Sequence, residues 1–282
     1  MNKGASVKAR LLNIAKKENI AFQVLVFRYL HERFLYRLSV STYKNCFFLK
    51  GGALLYVFEN ALTRPTKDVD LLGQNVPNDV DELKSIFKEI TLIENDDAVW
   101  FDASTIKTET IKEEEKYQGV RVHIECGFHT VKNRIQIDIG FGDIITPKAQ
   151  VVDYPTLLTE SQPIKIQAYS IETIIAEKLH AMVVLAYANS RMKDFYDLYV
   201  LIQSEKLSTK SLEQAIKATF ERRQTKIPLQ VLLFDPAFGL DEKFNLLWNQ
   251  FLKKNKLSLA AEFKDIVSLI KTEFEPILNA LK

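Results

Sequence analysis

Cysteine is scarce in this chain, and so is any surplus of charge. Only Cys46 and Cys126 occur, each within a strand-like apolar run. That excludes a disulfide framework and reads as two small core residues in a reducing compartment. The 38 basic and 36 acidic side chains leave a net charge of +2. The strong basic excess of a dedicated DNA-binding domain is therefore missing, while RNA held on a local patch stays open. No run of about 18 apolar residues is present, so nothing is expected to span a membrane. The N-terminal stretch MNKGASVKARLLNIAKKENI carries charges throughout and lacks the apolar core of a signal peptide. The expected compartment is the cytoplasm. Four histidines, His31, His123, His129 and His180, have no CxxC or HExxH companion, which leaves a zinc site without support.

What is present is an ordinary globular composition, with 47% of the 282 residues hydrophobic and 26% charged, enough for one large domain or two modest ones. Apolar residues recur at helical spacing over the first forty positions, through Leu11, Leu12, Ile14 and Ala15 and then Phe22, Leu25, Val26, Tyr29 and Leu30. From Cys46 the pattern changes. CFFL reads as a buried strand ending at Gly51-Gly52, ALLYVFENAL as a short helix, residues 63–67 as a polar loop, and Asp68–Leu72 as the next strand. DVDELKSIFKEI is an amphipathic helix. Strands are expected over Val120–Phe128, Arg134–Gly140 and Ile164–Ala168; in the second, Ile135, Ile137 and Ile139 alternate with Gln136 and Asp138. The charged KTETIKEEEKYQG before them is expected to be a solvated hairpin arm or loop. After Tyr169 helices dominate: an αα-hairpin joined at Asn189-Ser190-Arg191, then helices near 208–222, 241–254 and 258–281. Strands early and helices late predict an α+β protein, with a mixed sheet flanked by helices over residues 1–168 and a helical bundle over 169–282. Residues 1–40 can belong to either part.

The stretch that carries chemistry is FLKGGALLYVFENALTRPTKDVDLLG, residues 48–73. Gly51 and Gly52 have no Cβ, so the backbone there can bend sharply and approach phosphate oxygens. The helix that follows offers free N–H groups to the same oxygens. Asp68 and Asp70, two apart on a strand, project their carboxylates on one face. Two such carboxylates beside bound phosphates suit Mg²⁺. A third carboxylate on a neighbouring strand would complete a two-metal arrangement, and Asp138 is the candidate because it lies on the non-isoleucine face of its strand. On the helix from Ile171, Lys178 falls within an apolar stripe, so it must snorkel outward or meet a carboxylate or phosphate. Asp194 and Asp197 share a face of the next helix and are suitable partners. An ion pair that locks the hairpin and a phosphate-binding lysine both satisfy that pattern.

These motifs strongly resemble those of the AbiEii/AbiGii toxin family of nucleotidyltransferases, a branch of the DNA-polymerase-β-like superfamily. Family members often carry K-G-G-T-A-L followed by R-x-T-x-D-x-D; here Lys50-Gly51-Gly52-Ala53-Leu54-Leu55 and Arg64-Pro65-Thr66-Lys67-Asp68-Val69-Asp70 match, with Ala53 where a hydroxyl is common. Glu177-Lys178-Leu179 and Lys193-Asp194-Phe195-Tyr196-Asp197-Leu198-Tyr199 are similar to the family's E-K-L and K/R-D-x-x-D-L-Y motifs. The resemblance covers roughly residues 45–200. It implies catalytic roles for Asp68, Asp70, Asp138, Lys178, Asp194 and Asp197, and a nucleotide-binding set of Lys50, Gly51, Gly52, Arg64, Thr66 and Lys178. Metal would be held by Asp68, Asp70 and Asp138, with Mg²⁺, or Mn²⁺ in its place, as cofactor and an NTP as substrate. It further implies a toxin that transfers a nucleoside monophosphate to RNA, at the 3′ end of tRNA, opposed by an antitoxin protein. A small-molecule acceptor, a protein acceptor and a non-catalytic binding module are the other readings.

Overall fold

The computed structural model describes residues 2–58, 64–114, 117–204 and 207–282. The end of the expected ALLYVFENAL helix, Thr63 of the expected loop and residues 115–116 of the charged KTETIKEEEKYQG stretch lie outside the described residues. The chain divides into two units. The first comprises Met1–Val57, Pro65–Gly142 and Gln150–Ala168, and the second Phe58–Arg64, Asp143–Ala149 and Tyr169–Lys282.

In the first unit, the helical spacing over the first forty residues is resolved into α1 (Lys3–Lys17) and α2 (Phe22–Val40). Asn19, at φ +52, turns the chain between them. Then come β1 (Phe47–Lys50), the one-turn α3 (Gly51–Leu54), β2 (Asp68–Gly73), α4 (Val80–Thr91), β3 (Trp100–Glu114), β4 (Tyr117–Phe128), β5 (Val131–Phe141), β6 (Gln150–Tyr154) and β7 (Ile164–Ala168). The strands form one seven-stranded mixed sheet in the order β3-β4-β5-β2-β1-β7-β6. β2 runs parallel to β5 and antiparallel to β1. The charged KTETIKEEEKYQG stretch, where described, is strand, in β3 up to Glu114 and in β4 from Tyr117, the hairpin-arm alternative of the two expected. β3 and β6, which the sequence pattern did not separate as strands, are the two edges of the sheet.

Period-two alternation gives this sheet one apolar face and one polar face. Val69 and Leu71 of β2, Ile135, Ile137 and Ile139 of β5, and Val120, Val122 and Ile124 of β4 are all buried on the apolar side. Aromatic side chains from α2, α4 and β1 interlock there: Phe34 stacks on Phe87 at 5.9 Å, and Phe47 meets Phe87 edge-on at 5.5 Å. Burying one such side chain stabilises the fold by roughly 1.5–3 kcal/mol. α2 also carries buried charge. Arg37 donates to Asp97 through Nη1 at 2.8 Å and to the Val99 carbonyl at 3.2 Å.

In the second unit, α5 (Ile171–Leu185) and α6 (Met192–Ser204) form the expected hairpin, followed by α7 (Thr209–Arg222), α8 (Pro236–Leu240), α9 (Glu242–Asn255) and α10 (Phe263–Ala280). Ser170 caps α5, its hydroxyl accepting from the Thr173 amide and donating to the Thr146 carbonyl. Phe195, Phe238, Phe244, Trp248 and Phe263 make a continuous aromatic core. Among the described residues, no helix is long and apolar enough to cross a membrane.

Candidate active site

Two groups of sequence-predicted residues are drawn together, one in each unit. In the first unit the group grows out of strand register. Asp70 on β2 lies opposite Lys50 on β1 and beside Asp138 on β5. Asp68 lies beside Gln136. Asp68, Asp70 and Asp138 therefore share the polar face, two rungs apart along β2 and one strand apart across the sheet. The Thr66 hydroxyl donates to the Asp68 carbonyl at 3.3 Å, tying the approach loop to the strand.

Gly51 is required here for two separate reasons. Its φ of +64 is a left-handed conformation that other residues adopt at a cost. A Cβ at this position would also run into Asp70 Oδ2 and lie 2.6 Å from its Cγ and 2.8 Å from its Cβ. The glycine thus leaves the space that the Asp70 carboxylate fills, directly beside the start of α3. Lys50 is buried at the same point.

Asp138 is engaged in a different way. Arg121 on β4, its cross-strand partner, donates from Nε to Oδ1 and from Nη2 to Oδ2, both at 2.8 Å. Gln136 Nε2 approaches the same two oxygens at 3.2 and 3.1 Å. The hydrogen bonds to Asp138, ahead of the burial that opposes them, raise the Arg121 pKa, and the charges of Asp138, Glu109 and Asp68 add to the effect. Among the described residues, no group of three His, Cys, Asp or Glu side chains is arranged to hold a metal ion. The pair Asp68 and Asp70 fits the one or two protein carboxylates that Mg²⁺ takes beside phosphate. Asp138, with both oxygens committed to Arg121, does not join them as it stands. Arg121 was not singled out in the sequence. The signal for it is the two-residue connection His129-Thr130, which pairs Phe128 with Val131 and so sets Arg121 opposite Asp138.

In the second unit the group is built on α5 and α6. Lys178 Nζ donates to Asp194 Oδ1 at 3.0 Å and to Asp197 Oδ2 at 2.7 Å. Arg64 grips Asp197 bidentately, from Nε to Oδ1 at 2.8 Å and from Nη2 to Oδ2 at 2.9 Å. Arg191 Nε lies 2.7 Å from Asp194 Oδ2. The lysine in the apolar stripe has therefore found two buried carboxylates. Burial works against its charge, but Asp194 and Asp197 outweigh that and raise its pKa. Burial likewise opposes the Asp194 carboxylate, and Lys178 and Arg191 outweigh it to hold the group below the usual carboxylate range. Lys193, beside them, is lowered by desolvation and by the positive charges of Arg191, Arg64 and Lys178, with Asp194 opposing. Three cations, Lys178, Arg64 and Arg191, pair with the two carboxylates and Lys193 adds a fourth positive charge nearby, a balance that suits an anion. Glu177, of the E-K-L motif, faces Arg223 Nη2 at 3.8 Å.

The chain is similar in fold to JHP933 from Helicobacter pylori, at a TM-score of 0.53 and 16% identity over 93% of this chain and 94% of that one. It is also similar to a structure described as "putative nucleotidyltransferase from H. pylori", at a TM-score of 0.50 and 16% identity over 93% of this chain and 97% of that one. The fold is that of the nucleotidyltransferases. The family model for the nucleotidyl transferase AbiEii toxin of type IV toxin–antitoxin systems matches residues 33–269. The chain belongs to that family and is a nucleotidyltransferase, which implies a nucleotide substrate and an antitoxin partner. No protein of curated function matches the sequence.

Proposed function

We propose that the protein is the toxin of a toxin–antitoxin pair and transfers a nucleoside monophosphate from an NTP to RNA, using a divalent ion held by Asp68 and Asp70. The observation that carries the reading is the Asp70 carboxylate seated in the space left by Gly51, with Asp68 on the same face of β2. Bound there, Mg²⁺ would neutralise triphosphate charge and set the α-phosphorus for in-line attack by the acceptor oxygen, with pyrophosphate leaving. The chain's own contribution is positioning and electrostatics. Gly51 and Gly52 let the backbone come close to phosphate, and Lys50 adds positive charge in register with Asp70. Lys178, with Arg64, Lys193 and Arg191 about it, supplies cationic charge for phosphate oxygens, and Asp194 and Asp197 keep Lys178 charged and aimed. The tRNA 3′ end is the acceptor assigned by this reading, through the family.

The test is incorporation of α-labelled NTPs, one at a time with Mg²⁺, into total bacterial RNA. Label in a tRNA-sized band with the native chain, and none with Asp70→Ala, is expected. Label on protein or on a small hydroxylated acceptor, with RNA blank, would replace RNA as the acceptor.

A further inference from the structure

Across the polar face of the sheet one row of residues reads Lys50, Asp70, Asp138, Arg121 and Glu109, each the register partner of the next. A carboxylate offers about four lone-pair positions. Arg121 takes one on each oxygen of Asp138 in a fork-on-fork pair, and the Gln136 amide nitrogen, bonded to both oxygens, crowds the remainder. The Asp138 side chain is 14% exposed and that of Arg121 31%, so water competes weakly for the pair. An arginine cannot shed its proton to make way for a cation. If Asp138 turned to a metal ion, the guanidinium would lose its hydrogen-bond acceptors while half-buried and would face a second positive centre nearby.

We infer that Arg121 stands in for a second cation: it holds Asp138 as a bidentate ion pair, so the site loads a single divalent ion, on Asp68 and Asp70. The inference rests on the metal-binding role given to those two aspartates above. It makes Arg121 a positioning residue, acting through Asp138. The fixed charge of the arginine then does on β4 and β5 part of what a second ion does in a two-metal site, where two ions clamp the attacking and leaving oxygens. The pair also explains why three aspartates on one sheet face do not converge into a three-carboxylate cage.

The experiment is a Mn²⁺ titration of the full chain, with bound and free ion separated by the electron paramagnetic resonance signal of free Mn²⁺. Four proteins are compared, each first checked for native circular dichroism: the native chain, Asp70→Asn, Asp138→Asn and Arg121→Gln. One Mn²⁺ per native chain is expected, abolished in Asp70→Asn and retained in Asp138→Asn. In Arg121→Gln, where Asp138 is released, the stoichiometry should rise to two. Two ions on the native chain, or loss of the single ion in Asp138→Asn, would show that Asp138 is a ligand and overturn the inference. A single ion in folded Arg121→Gln would equally overturn it, because Arg121 would not be what withholds Asp138. Should Arg121→Gln fail to fold, the native stoichiometry and Asp138→Asn still decide. No Mn²⁺ on any of the four would instead remove the metal-binding reading of Asp68 and Asp70 beneath it, a result distinct from two ions bound.

Discussion

Replacing Gly51 by alanine adds one carbon at the point where the backbone meets Asp70. Its φ of +64 costs an L-residue roughly 1–2 kcal/mol by itself. The new Cβ also lies 2.8 Å from the Asp70 Cβ, which cannot rotate away because it is fixed to β2. Relief therefore comes from the β1–α3 turn or from β2, by a few tenths of an ångström at least, with the carboxylate pushed further. A total loss of about 2–5 kcal/mol in stability follows from adding overpacking to the strained φ. A displacement near 1 Å at a reacting centre costs about 100-fold in rate. Pyrophosphate release at saturating NTP, beside a thermal melt, measures both. Val267→Ala is the control: this buried valine lies in α10 of the second unit, and its truncation costs a similar roughly 2 kcal/mol without touching Asp70. Gly51→Ala is expected to lose most of its activity while the control keeps its own. A Gly51→Ala protein within about threefold of the native rate, a change worth under 1 kcal/mol of barrier, would refute the role given to this space.

Other outcomes follow from the buried charges. Lys178→Met leaves Asp194 with Arg191 and the nearby Lys193, and Asp197 with Arg64, so the loss should fall at the low end of that for a broken buried pair, about 3 kcal/mol in denaturant unfolding. Asp97→Asn strips Arg37 of its buried counter-charge and should cost more, about 3–5 kcal/mol by the same assay. Burial lowers His31 to about 4, against a hydrogen bond to the Lys67 backbone, and burial with the Arg223 charge lowers His180 to about 4. The unfolded chain therefore binds more protons than the folded one between pH 4 and 6.5, so stability is whole above pH 6.5 and is lost as pH falls toward 4. By pH 5 each histidine should account for about 2 kcal/mol, and His31→Gln with His180→Gln should flatten the melting temperature between pH 7 and pH 5.

Much of this was written in the chain, and the exceptions share a cause. The β5 alternation of Ile135, Ile137 and Ile139 showed both the strand and the face on which Asp138 stands, because one side of a central strand must be apolar. The stripe that included Lys178 left it to snorkel outward or to meet a carboxylate or phosphate, and α6 provides two carboxylates. β3 and β6 escaped because they are sheet edges, where charged residues such as Lys107 and Glu109 are favoured and the strand signal is diluted. The division of the first helical stretch turned on Asn19, whose left-handed φ leaves no mark on hydrophobic spacing. Arg121 was hidden for a different reason: its meaning lies in which residue it faces, and facing depends on register, which composition and period do not carry.

Nucleotidyl transfer dependent on Asp68 and Asp70 is decided by comparing NTPs labelled at the α- and γ-phosphorus with the native chain and with Asp68→Asn and Asp70→Asn. With the native chain α-label is expected to become covalently attached to the acceptor and γ-label to leave as pyrophosphate, while each variant folds normally but transfers neither. Transfer of γ-label to the acceptor, or α-label transfer undiminished in folded Asp70→Asn, would contradict that expectation.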